Sequence, residues 1–303
     1  MTGLQVPADA SNFAPYSIDE GAGFDRCGTT TLSQLQAWWN SPTDAYFWFG
    51  FYIGGPALGL GCTVPSPQWV DSVFSTTGLA LVPIWVGRQA PSGCNPTGGP
   101  YSSSQSIDIP PSTAVQEGIN DAQTAVNTAA AEGFLSAGIV YDDMEAYTSN
   151  NTVGGYSCSL IVDSYLNGWD YEIGQLFWTS GVYGSEASTI SNLVANAGGP
   201  GFHEPNNVWI ACYYVPGQSC PGATVWNMPD FGNWAFVLDQ RHHQFHHDQC
   251  ETYANTPITI DSNVGLAGVA GGWNESLWDG SGEDEVNSPT LDPPLNLSWR
   301  QYC

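Results

Sequence analysis

Lysine is missing from all 303 residues, and the only arginines are Arg26, Arg88, Arg241 and Arg300. Against 29 aspartates and glutamates, this leaves a formal net charge of −25. A nucleic-acid partner is excluded, because phosphate neutralisation needs Lys and Arg. An anionic membrane surface is excluded on the same ground. No apolar run reaches the roughly 18 residues that would span a bilayer. No Cys-x-x-Cys pair occurs, which argues against a zinc ribbon or a dithiol redox centre. Rossmann and P-loop fingerprints are also missing, as is the Gly-x-Ser-x-Gly elbow of serine hydrolases. No cofactor is expected.

What is present is a core. Hydrophobic residues make up 42% of the chain and aromatics 13%, which excludes an acidic disordered protein. Eight cysteines are dispersed along the sequence, an even set that suits up to four disulfides in an oxidising compartment. Spacing suggests a local Cys212–Cys220 bridge and a Cys250–Cys303 bridge that ties down the C-terminal tail, among about 105 possible pairings. Sequons at Asn150, Asn274 and Asn296 fit a secretory route. The start, Met1-Thr2-Gly3-Leu4, has neither a basic flank nor an apolar segment. The chain therefore reads as the mature form of a secreted, extracellular monomer. Its acidity favours an acidic working pH, where carboxylate repulsion falls.

Apolar β-rich runs alternate with helical patterns: Ala22–Cys27, helix Thr31–Trp39, Phe47–Gly55, helix Pro67–Thr76, then Leu79–Gly87. Helix Ala114–Glu132 precedes Gly138–Tyr147, and a helix near Leu160–Phe177 precedes Gly181–Gly184. Helix Glu186–Ala197 ends at Gly198-Gly199, a plausible C-cap. Three strand-like stretches without helices follow: Val208–Val215, Trp234–Phe245 and Pro257–Asn263. Strands separated by helices imply βαβ units and a parallel sheet, and eight such strands imply one closed barrel. The expected fold is α/β, a TIM-like barrel of eight strands and about five main helices, helix-poor over the last three strands. One domain, 1–303, is expected, with the barrel at about 20–265 and an acidic, loop-like tail at 266–303 pinned by a disulfide.

The sharpest chemical feature is Ile139-Val140-Tyr141-Asp142-Asp143-Met144-Glu145-Ala146-Tyr147. Strand alternation puts Tyr141, Asp143 and Glu145 on one face and Asp142 and Met144 on the other. Paired carboxylates at the end of an apolar strand are unfavourable unless something pairs or uses them. In a barrel that end carries the active site, and crowding leaves one acid protonated beside an ionised partner. A solvated acidic loop or a calcium site is the plainer alternative. Asp25 and Asp261 end the first and last strands, which are neighbours in a closed barrel, so both are expected to face Glu145 across the mouth.

Gly23-Phe24-Asp25-Arg26-Cys27, Phe51-Tyr52-Ile53-Gly54-Gly55 and Pro83-Ile84-Trp85-Val86-Gly87 resemble the first three strands of a family of secreted glycoside-hydrolase-like barrels, first catalogued as a domain of unknown function. The match continues through Tyr141–Tyr147, Gly181–Ser185, Val208–Ala211, His243–Phe245 and Ile260–Asn263. That family is similar to glycoside hydrolase family 25, the muramidases that cut peptidoglycan. The resemblance covers roughly residues 20 to 265 and implies a barrel with five helices and three helix-poor strands. It implies Glu145 as general acid and Asp143 as assisting carboxylate, with Asp25 and Asp261 lining the subsite. It further implies Tyr183, Trp209 and Gln244 as a sugar-binding floor, with Tyr147 also substrate-binding. The substrate implied is a polysaccharide, most directly the β-1,4 glycan of peptidoglycan. A non-catalytic wall-binding barrel, or a hydrolase of chitin or a galactosamine polymer, is the alternative.

Arg241-His242-His243-Gln244-Phe245-His246-His247-Asp248 holds four of the five histidines. Alternation places His242, Gln244 and His246 on one face and His243 and His247 on the other. No cysteine or glutamate at ligand spacing completes a zinc or copper site. A strand end charged at low pH beside the acidic mouth is expected instead. Trp209, Trp234, Trp273 and Trp278 lie where indoles could stack on sugars, although core packing is the default for any one of them.

Overall fold

In the computed structural model the described residues are 17–28, 30–42, 46–59, 61–94 and 101–269. Eight strands close a barrel: β1 (Ser17–Arg26), β2 (Tyr46–Gly54), β3 (Ala80–Trp85), β4 (Ile139–Met144), β5 (Thr179–Ser185), β6 (Asn207–Ala211), β7 (Arg241–Tyr253) and β8 (Thr256–Val269). Each strand pairs with its sequence neighbours, and β8 closes on β1. The helices are α1 (Leu32–Trp39), α2 (Pro67–Thr76), α3 (Pro111–Ala131), α4 (Cys158–Gln175) and α5 (Ser191–Asn196). A π-helical turn, Glu186–Ile190, leads into α5. Local chemistry sets the helix starts. Thr31 and Gln34 form a reciprocal capping box, Ser66 caps α2 ahead of Pro67, and Ser157 caps α4.

Strands β1 to β7 are parallel. The eighth is not. β8 runs antiparallel to both β7 and β1, which corrects the expectation of eight like-directed strands. The cause is a two-residue turn, Ala254-Asn255, with φ of 47° and 58°. Such a turn joins only antiparallel neighbours. Past two register shifts around Ser262, the hairpin tip lies against α1: the Trp38 indole donates to the Thr256 carbonyl at 2.7 Å, and Tyr253 packs edge-on to Trp38. It covers the outer wall where helices have run out.

The expected strand from Trp234 begins instead at Arg241. The Arg241 guanidinium, 1% exposed, donates to the carbonyls of Ala235, Val225 and Gly232 and sits 4.8 Å from the Trp226 ring. The connection from β6 is thus wound around a cation rather than a helix. β1 begins at Ser17 and β8 ends at Val269. Residues from 270, including Trp273 and Trp278, lie outside the described residues.

Aromatic side chains fill the barrel. Trp48, Tyr141, Trp209 and His242 form one interior layer, with His242 stacked on Trp48 at 4.4 Å. Two glycines make room for it. A Cβ at Gly23 would lie 1.9 Å from the Trp48 ring, and one at Gly50 2.6 Å from Trp209. Three disulfides, Cys27–Cys62, Cys94–Cys158 and Cys212–Cys220, join loops that follow β1, β2, β3, β4 and β6. All three therefore staple the C-terminal mouth, and the local Cys212–Cys220 bridge is as expected. Cys250 is also disulfide-bonded, but the Cys303 expected opposite it lies outside the described residues.

Candidate active site

The mouth is built on β4. Tyr141 points inward against Trp209 and His242, so Asp143, two residues on, faces the interior above them. It is 3% exposed, and its Oδ1 has no hydrogen-bond partner. Glu145, the first acid past the strand, is open to solvent. Asp142 points to the opposite side, against α3 and α4, as alternation requires. Burial, then repulsion from Glu145, Asp142 and Asp25, holds the Asp143 carboxyl well above the ordinary carboxylate range. Burial also raises Glu145, because the surrounding cleft displaces much of its water.

Gln89, which follows β3, fixes this pair. Its amide donates to the Asp143 carbonyl at 2.7 Å and to the Gly87 carbonyl at 3.1 Å. Its oxygen accepts the Glu145 N–H at 2.8 Å. One buried side chain therefore grips the backbone on both sides of Met144.

Asp25 and Asp261 stand opposite each other in the β1–β8 register. Asp261 reaches the mouth from a bulge in an antiparallel strand, not from a strand's C-terminal end as expected. Asp25 Oδ2 accepts from Asn263 at 2.7 Å and from Gln244 at 3.0 Å. Gln244 also donates to Asp261 at 3.3 Å and accepts the Tyr183 hydroxyl at 2.8 Å. Burial and the Asp261 charge push Asp25 far up, and burial pushes Asp261 up to about 6. The charges of Asp25, Asp143, Glu145 and Asp261 all act on the Tyr52 phenol, which burial raises most. The four predicted acids therefore share one mouth, with Tyr183 and Gln244 beside them.

Two predicted substrate contacts fall elsewhere. Trp209 is fully buried, its indole N–H donating to Asn263 at 2.9 Å; it supports the site from below and offers no face to a sugar. Tyr147 is 7% exposed and its hydroxyl accepts from Asn192 of α5, which places it in a network outside the mouth. The histidine expectation is corrected as well. His242 lies in the interior layer, where burial lowers it to about 3, so it stays neutral at mildly acidic pH. His243 faces outward and is buried between the carbonyls of Thr224 and Cys212. Only His247 lies near enough to Asp261 to lower it.

Sequence reasoning missed Gln89, Asn263 and Tyr52. Asn263 carried a usable signal, since it lies two residues past Asp261 on a strand. Gln89 carried none. Among the described residues, no group of three or more His, Cys, Asp or Glu is arranged to hold a metal, and no helix is long and apolar enough to cross a membrane. Chemically, a set of acids sharing protons beside amide donors can protonate a leaving oxygen and stabilise positive charge.

A closed barrel with carboxylates at its C-terminal mouth is the architecture of a glycoside-hydrolase-like domain. The chain belongs to the family described as "Rv2525c-like, glycoside hydrolase-like domain", whose model matches residues 36–265. No curated protein sequence matches the chain. Among solved structures it is similar to the spore cortex lytic enzyme SleM of Clostridium perfringens, with a TM-score of 0.51 and 14% identity over 81% of this chain and 67% of that one. An uncharacterised B. stearothermophilus protein gives 0.47 and 13% over 80% and 95%. The modular autolysin LytC of Streptococcus pneumoniae gives 0.47 and 11% over 80% and 46%.

Proposed function

We propose that the protein is a secreted, single-domain glycoside hydrolase of the muramidase type, cleaving the β-1,4 bond of peptidoglycan. Glu145 is the general acid and Asp143 the assisting carboxylate; Asp25 and Asp261 line the subsite and tune them. The observation that carries this reading is the gathering of four carboxylates from β1, β4 and β8 at one mouth. Burial raises both Asp143 on β4 and Glu145 just past it, and the Glu145 charge adds to the rise at Asp143. Glu145, on the open side, is placed to hand its proton to a glycosidic oxygen, while buried Asp143 faces the centre where positive charge develops. Glu145's raised pKa keeps it protonated above the ordinary carboxylate range, so activity is present at acid pH and falls as pH rises through that value. Family membership supports the hydrolase class, and a fold like that of the lytic enzyme SleM is compatible with a wall glycan. Disulfides at the mouth suit an oxidising, extracellular setting.

The test is mass spectrometry of soluble products from purified bacterial peptidoglycan at about pH 4–5, near an ordinary Glu pKa. Fragments ending in reducing N-acetylmuramic acid are expected. Fragments ending in N-acetylglucosamine would keep a hydrolase but move the bond. Binding without fragments would leave a glycan-binding barrel.

A further inference from the structure

Every cation among the described residues can be placed. Arg88 lies against Glu117 and Asp121, and Arg241 is buried among carbonyls beneath the β6–β7 connection. His242 is sealed in the interior layer, and His243 is held between two carbonyls. His246 is turned against Tyr214 and Phe245. His203 packs on Tyr171, away from the mouth. Arg26 and His247 remain, and both act on Asp261. Among the described residues, Asp25, Asp143 and Glu145 thus face one another, neutral amides and the Tyr52 phenol, with no positive group between them.

Two neutral amide donors are already committed. Gln244 and Asn263 both donate to Asp25 Oδ2, whereas buried Asp143 Oδ1 receives nothing. An ionised carboxylate with an unpartnered oxygen beside a second acid is strongly unfavourable, so the cleft keeps a proton there until a donor that carries positive charge lets it ionise. An ammonium brings three donors and a positive charge. An N-acetyl amide brings one N–H and no charge, and the carboxylates of a muramyl peptide bring only repulsion.

Building on the glycan-site reading above, we propose that the cleft selects a glycan with a free 2-ammonium, an N-deacetylated amino-sugar unit, which sits between Asp25 and Asp143. The same chemistry is offered by a partly deacetylated bacterial wall strand and by a chitosan-type polymer.

The experiment is isothermal titration calorimetry of the whole protein at about pH 5 with four probes. These are glucosamine hexamer, its fully N-acetylated counterpart, N-deacetylated wall glycan strands, and the same strands re-N-acetylated. The deacetylated member of each pair is expected to bind at least about tenfold tighter, the value of one charge-assisted hydrogen bond. The preference should shrink in salt. Asp25→Asn and Asp261→Asn, which keep side-chain shape and one acceptor oxygen but no charge, should reduce it, while Asp71→Asn on the exposed side of α2 should not. Whichever deacetylated probe binds tighter names the source. Equal or tighter binding of the acetylated members overturns the proposal. So does a preference that survives in both mouth variants, since it would report attraction to the acidic surface at large. Binding to none of the four overturns the glycan site itself, a distinguishable result.

Discussion

Asp142 and Asp143 are adjacent in sequence and sit on opposite sides of one strand, each among other acids. Behind the barrel wall, Asp142 meets Asp121 of α3, Asp170 of α4 and the Tyr165 hydroxyl. That hydroxyl donates to Asp121 at 2.9 Å and lies 3.3 Å from Asp142. It has one hydrogen, so the second contact is complete only if Asp142 carries a proton. Burial, then the Asp121 charge, pushes Asp142 well up in agreement. In front, Asp143 is equally buried, but its neighbour Glu145 opens onto the mouth. Both clusters hold perturbed carboxylates, and only one has a route to a substrate. Perturbation marks burial; access separates chemistry from structure.

That contrast can be broken in several ways. The largest effect is expected from Glu145→Gln, which removes the transferable proton and should lower kcat by roughly a hundredfold or more, with the melting temperature little changed. Asp142→Asn should do the reverse. Asp142's pKa is raised in the fold, so its stabilising contribution is full below the unfolded value near 4 and declines as pH climbs toward the folded value, by about 1.4 kcal/mol per pH unit. The Asn variant should flatten that decline and melt higher than wild type at neutral pH, with activity retained; pH-resolved thermal unfolding reads it.

A smaller effect is expected at Gln89→Leu, which frees the backbone grip on Asp143 and Glu145. Activity should fall about tenfold with KM nearly constant, and stability by about 1–3 kcal/mol for the buried groups left unpaired. Smallest is Tyr183→Phe, which removes one hydrogen bond to Gln244, about 1 kcal/mol, and should alter activity only a few-fold.

The barrel was legible because six of its strands are short runs spaced by helices, and the Asp143/Glu145 pair because alternation is a rule of strands. Direction was not legible. Alternation reads the same up or down a strand, so β8's reversal was carried only by the weak turn Ala254-Asn255. Trp209 was misread for a related reason: a strand-end indole looks alike whether it faces a ligand or plugs the barrel over Gly50. Gln89 acts through backbone groups of a strand more than 50 residues away, and no local pattern announces such a contact.

The most direct measurement is a side-by-side digestion of purified peptidoglycan at acid pH by the wild type, Glu145→Gln and Asp142→Asn, with new reducing ends counted. The account predicts reducing ends from the wild type and from Asp142→Asn and none from Glu145→Gln. Equal release by Glu145→Gln, or its loss in a folded Asp142→Asn, would contradict it.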